Sequence, residues 1–228
     1  MLGLLTLDTA FPRIPGDVGC AETFAFPVRI ALVGGASVDA VVHRAGDALL
    51  PAFIDAGRAL AAEGCVGIAT TCGFLARWQR ELADALPVPV LTSSLLQVPL
   101  VDRMLARGRR TGIVTYSAAD LAPDVLAAAG VDPATPVAGV APDGYFARTI
   151  RDGASVLDTR RMAADTVTAA RALAATHPDV GAIVLECANM PPYRAAVHAA
   201  TGLPVFDAAQ LLVWFHASLS AYGGTDLW

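Results

Sequence analysis

Two cysteines, Cys72 and Cys187, occupy matching contexts 115 positions apart, each at the end of a short apolar run. The first run reads Val66-Gly-Ile-Ala-Thr-Thr-Cys72-Gly-Phe and the second Gly181-Ala-Ile-Val-Leu-Glu-Cys187-Ala-Asn-Met. A thiol that a strand delivers to a turn opening a helix lies near N-terminal amides, which lower its pKa and make it a usable base or nucleophile. Two such thiols, one from each half, can face each other across a cleft. That arrangement suits chemistry on both faces of a small molecule.

What the chain lacks narrows the chemistry. All 16 basic residues are arginine, which excludes lysine Schiff bases, pyridoxal-phosphate chemistry and a Walker A loop. Any carbon acid handled here is handled without that electron sink, and no cofactor is expected. The four cysteines, at 20, 65, 72 and 187, form no C-x-x-C and the histidines at 43, 177, 198 and 216 do not cluster, so no metal is expected. Cys65 reads as a small buried hydrophobe and Cys20 as incidental in its loop. The net charge of −5 comes without a basic stripe, so nucleic acid is not an expected partner.

The elements that position the thiols follow from patterning. At 228 residues, 55% hydrophobic and 16% charged, the chain has enough apolar surface for one large domain or two small ones. Mean hydropathy is +0.53, yet no apolar run is long enough to span a membrane. No basic region precedes the first apolar stretch, so no signal peptide is expected and the reading is a soluble cytoplasmic protein. Short β-rich runs alternate with helical ones, the mark of parallel α/β architecture. Strands are expected at 1–7, 28–33, around 66–71, 88–91, 111–115, 137–140, 181–186 and 203–206. Helices are expected at 49–63, 74–86, 95–106, 119–129, 160–175 and after Met190, with a last apolar helix closing the chain. In such sheets ligands bind at the carboxyl ends of the strands, where both cysteines fall.

The chain resembles the cofactor-independent aspartate/glutamate/hydantoin racemases. The resemblance rests on Leu7-Asp8-Thr9 at the end of the first strand, on Thr70-Thr71-Cys72-Gly-Phe, and on Glu186-Cys187-Ala-Asn-Met-Pro-Pro-Tyr193. It covers essentially the whole chain. It implies two pseudo-symmetric Rossmann-like (flavodoxin-like) parallel-sheet α/β domains with the active-site cleft between them. The first would comprise residues 1–95 plus 207–228, and the second residues 96–206. It also implies that Cys72 and Cys187 are an acid/base pair inverting a carbon next to a carboxylate or carbonyl. The substrate would be a small carboxylate-bearing molecule. The sequence is silent on oligomeric state, although cleft enzymes of this class are often homo-oligomers.

Candidate substrate contacts are the polar strand ends. These are Thr71 and Gly73 around the first cysteine, Ser93 and Ser94, Thr115, Tyr116 and Ser117, and Ala188 and Asn189 after the second cysteine. Each small hydroxyl has the alternative reading of a helix cap. Asp8 is expected to hold a substrate ammonium or orient Cys72, or else only to form a turn. Glu186 is ambiguous, because strand alternation can turn it away from the cleft that Cys187 faces. Glutamate racemases typically follow their cysteines with Asn-Thr and Thr-His, whereas this chain has Gly73-Phe74 and Ala188-Asn189, so the substrate is not specified. Two rivals to racemisation stand: a maleate isomerase-like or arylmalonate decarboxylase-like enzyme using one cysteine, and a non-catalytic protein that binds a small acid.

Overall fold

The computed structural model describes residues 1–44 and 47–219. Two four-stranded sheets carry the architecture, and every strand pair is parallel. In the first half β1 (Leu2–Asp8), β2 (Val28–Ser37), β3 (Gly67–Thr70) and β4 (Val90–Leu91) lie in the order β2-β1-β3-β4. In the second half β5 (Arg110–Thr115), β6 (Val137–Gly139), β7 (Val180–Leu185) and β8 (Val205–Phe206) repeat it as β6-β5-β7-β8. The inner strands are apolar without alternation because helices cover both faces. All four residues of β3 are buried, whereas the edge strand β2 leaves Ile30 and Leu32 exposed.

Helices α1 (Leu50–Ala62), α2 (Gln79–Ala85) and α3 (Val98–Met104) belong to the first half. The second half carries α4 (Pro123–Ala128), α5 (Tyr145–Asp152), α6 (Thr159–Thr176) and α7 (Arg194–Thr201). The final helix α8 (Ala208–Leu219) returns to the first sheet, where Leu212 and Phe215 share a core cluster with Leu2, Leu4 and Ala69. Gly67 permits that return: a Cβ there would run into Leu219 and come within 3.1 Å of the Phe215 ring.

The structure departs from the expected helices in a consistent way. The expected helix 74–86 divides into a 3-10 segment, Gly73–Trp78, and α2, and the expected helix 95–106 divides into Ser94–Gln97 and α3. In both, the first turn is buried nearly all round: Phe74, Leu75 and Ala76 are consecutive and inaccessible. A tighter helix lets these residues dive between the two sheets. Among the elements not expected are α5 and a turn of π-helix at Asp39–His43. Residues 220–228, the end of the expected first domain, lie outside the described residues.

Candidate active site

In a parallel sheet of order 2-1-3-4 the connections diverge on either side of the first and third strands, which opens a crevice at their carboxyl ends. Here that crevice lies between β1 and β3 in one half and between β5 and β7 in the other. The two crevices meet in one pocket with about 400 Å³ of empty space, its mouth included. Cys72 follows β3 and Cys187 follows β7, and both line the pocket. Each thiol is at least nine-tenths buried.

The two thiols are held differently. Cys72 is the residue before the Gly73–Trp78 helix, and the amides of Phe74 and Leu75 point at its sulfur. Burial nevertheless pushes its thiol up to about 12, with the Glu186 carboxylate adding to the rise and Arg13 opposing it. Cys187 Sγ donates to Asn189 Oδ1 at 3.5 Å. Burial first, and Glu186 second, push this thiol well above its ordinary value. Two amides and Arg13 thus favour a thiolate at Cys72, whereas Cys187 meets one amide, that of Asn189, while its thiol donates to the Asn189 side chain.

A buried polar chain runs from the loop after β1 to Cys187. Arg13 Nη1 donates to both oxygens of Asp17, at 3.0 and 3.3 Å, and Nη2 donates to Thr9 Oγ1 at 3.0 Å. Asn189 Nδ2 donates to the other side of Asp17 at 2.6 Å. The Val18 amide bonds the Ala188 carbonyl at 3.1 Å, so the loop is strapped onto the second half beside Cys187. Arg13 also lies over the Phe11 ring, 4.5 Å from its centroid, and both residues line the pocket. Sequence reasoning missed Arg13, Asp17 and Phe11 because a Pro/Gly-rich loop has no period to read. The only available signal was the i,i+4 spacing of an Arg and an Asp in that loop.

Glu186 also lines the pocket and is 1% exposed. Strand alternation does not govern it, because β7 has already ended at Leu185. Thr115 Oγ1 donates to Glu186 Oε2 at 2.7 Å, the Tyr116 amide faces the carboxylate, and Oε1 has no partner. Burial raises this carboxyl to about 7. The carboxylate lies against Gly73: a Cβ there would overlap Oε1 and sit 2.7 Å from the Glu186 carbonyl oxygen.

Of the residues expected to contact substrate, Thr71, Gly73, Tyr116, Ala188 and Asn189 come together around the thiols. The others do not line this pocket. Asp8 is exposed at the end of β1, where it pairs in register with Ser37. Ser93 caps its own helix through the Leu95 amide. Ser94 Oγ donates to the carbonyls of Leu185 and Glu186 at 2.9 and 3.1 Å, which staples the two halves. Thr115 is fully buried behind Glu186. Ser117 donates to Asp120 in a neighbouring cleft, where His43 bridges the halves through the same carboxylate at 3.0 Å.

No family model matches the sequence. A dimethylsulfoniopropionate lyase of Durusdinium sp. clade D is 31% identical over 214 residues, which are 91% of this chain and 71% of that protein. The chain belongs to the dimethylsulfoniopropionate lyase family. Dimethylsulfoniopropionate lyase 7 of Emiliania huxleyi is 32% identical over 96% of this chain and 67% of its own length. Among solved structures, an arylmalonate decarboxylase has a TM-score of 0.62 at 17% identity, covering 98% of this chain and 94% of its own. An allantoin racemase from Pseudomonas fluorescens has a TM-score of 0.63 at 19% identity, covering 96% and 90%. The two-sheet α/β fold is thus shared with these structures, as the resemblance implied. The expected racemase or isomerase activity is overturned, because the sequence relatives are lyases. Among the described residues no helix is long and apolar enough to cross a membrane.

Proposed function

We propose that this protein is a lyase that cleaves dimethylsulfoniopropionate, or a closely similar sulfonium-bearing propionate, by β-elimination. What carries the reading is membership of the lyase family over 91% of the chain, in a fold that brings two thiols into one pocket. The substrate pairs a carboxylate with a sulfonium two carbons away. Removing the proton next to the carboxylate leaves an electron pair that forms the new C=C bond as the C–S bond breaks. The products are acrylate and a neutral sulfide, and one proton stays with the base before it returns to solvent.

Elimination needs one base, and Cys72 fits that role best. Its sulfur faces two amides, and Arg13 favours its charged form. With the thiol raised to about 12, forming the thiolate at pH 8 in the free pocket costs about 5 kcal/mol. The sulfonium charge of an entering substrate offsets part of that cost, so base and substrate activate together. Cys187, engaged as a donor to Asn189, acts as a neutral thiol against the developing enolate. The Arg13 guanidinium, fixed by Asp17 and Thr9, meets the substrate carboxylate and stabilises the negative charge that grows there.

Headspace measurement of sulfide release tests this reading. The wild-type protein is expected to release dimethyl sulfide. Cys72→Ser should lose about 10²–10⁴-fold in kcat, the usual worth of a positioned general base, and Cys187→Ser should lose less. A Cys72→Ser protein with wild-type kcat would contradict the assignment.

A further inference from the structure

The pocket contains an acidic group that the elimination chemistry does not use. Glu186 is 1% exposed, and no cation pairs with it among the described residues: its neighbours include the Thr115 hydroxyl, the Tyr116 amide, Gly73 and the two thiols. A buried carboxylate without a counter-ion is expensive. For the thiol base it is adverse as well, since its charge opposes thiolate formation at both Cys72 and Cys187. The fold nevertheless makes room for it. Position 73 is glycine where any side chain would collide with the carboxylate, and Thr115 is dedicated to holding one of its oxygens. Arg13, the cation of the same pocket, is already paired with Asp17. An occupant that carries its own positive charge resolves the imbalance.

We propose that Glu186, with the rings of Phe74 and Tyr116, forms a recognition subsite for an onium cation, the end of the substrate opposite its carboxylate. This rests on the lyase reading for the orientation of the substrate. A sulfonium or quaternary ammonium has no N–H or O–H to donate. It is recognised by a nearby negative charge and by aromatic faces, and no direct hydrogen bond is needed. A fully buried carboxylate acting through a low-dielectric wall meets that requirement. Both aromatic residues line the pocket with Glu186 and are themselves buried. The subsite would therefore select zwitterions over dicarboxylates and over neutral propionates of the same shape.

Two isosteric probes isolate the charge: 3-(trimethylammonio)propionate, which is cationic at one end, and 4,4-dimethylpentanoate, which has carbon in place of nitrogen. Calorimetry on the wild-type protein at pH 8 should show the cationic probe binding about tenfold or more tightly, the scale of one charge-assisted contact. In Glu186→Gln the preference should vanish. Below pH 7 it should shrink in the wild type, and binding of the cation near pH 6 should release protons, because the cation favours the ionised carboxylate. The other titrating groups coupled to Glu186 are Cys72 and Cys187, both pushed upward by burial; Tyr116 meets it through its amide, with its hydroxyl raised by burial and opposed by Arg151, while Arg13 is paired with Asp17. Equal affinity of the two probes for the wild-type protein, or failure of both to bind, overturns the subsite without needing the variant. Sulfide release without cation preference leaves the lyase reading standing and removes the subsite. Cation preference without sulfide release does the reverse.

Discussion

Substituting Gly73 with alanine tests whether the two halves of the site are fitted to each other. The added methyl would overlap Glu186 Oε1, and it would lie 2.7 Å from the Glu186 carbonyl oxygen and 2.8 Å from its Cδ. Contacts that close do not occur, so Glu186 must move. Its carbonyl is held by Ser94 and its carboxylate by Thr115, and the next residue is Cys187. The displacement therefore passes directly to the second thiol. Overpacking of this kind costs about 1–3 kcal/mol, and a chain of this size loses about 2–4 °C of Tm per kcal/mol. A thiol moved by about 1 Å can cost on the order of 100-fold in turnover. Scanning calorimetry together with sulfide-release kinetics reads both effects. Gly34→Ala is the control: nothing lies within 4 Å of its added methyl, so its stability should stay within about 0.5 kcal/mol. A Gly73→Ala protein with unchanged Tm and unchanged kcat would refute the packing argument.

Other outcomes follow from the buried charges. Asp17→Ala leaves Arg13 and Asn189 without their shared partner and should destabilise the protein by about 3 kcal/mol, with a raised KM, as chemical unfolding and kinetics would report. Because the Cys72 thiol is raised to about 12, kcat/KM should climb about tenfold per pH unit from pH 7 to 9; a flat profile would speak against a thiolate base. The Glu186 carboxyl, raised from 4.5 to about 7, keeps its proton longer in the folded state than in the unfolded one. Its contribution is complete below pH 4.5 and is lost as pH rises to about 7, a decline of about 3 kcal/mol. Urea melts of wild type and Glu186→Gln across that window should diverge by that amount, with the variant gaining at the alkaline end.

The core strands were legible in the sequence because a strand buried on both faces reads as an unbroken apolar run, as at 67–70 and 180–185. The two cysteines were legible for the same reason, since the runs end on them. Helix α5 was not, because its eight residues mix buried Phe146 and Ile150 with two arginines between flanking glycines. The polar strand ends were recognised as a group, but their roles divide by direction. Thr71 faces the pocket, Ser94 faces a neighbouring strand end, and Thr115 faces Glu186, and hydroxyl residues give no sign of which way they turn. Arg13 and Asp17 depend on a loop path set by docking onto Ala188 and Pro192, which is tertiary information. The activity was misread because racemisation and elimination share their first step, loss of a proton next to a carboxylate. They differ in what the neighbouring carbon carries, and that is a property of the ligand.

Proton NMR of wild-type protein mixed with dimethylsulfoniopropionate in deuterated buffer tests the central claim most directly. The account predicts that acrylate and dimethyl sulfide appear in equal amounts as substrate is consumed, and that both appear about 10²–10⁴-fold more slowly with Cys72→Ser. A folded wild-type protein that leaves the substrate intact would contradict it. So would one that exchanges the hydrogens beside the carboxylate without releasing sulfide.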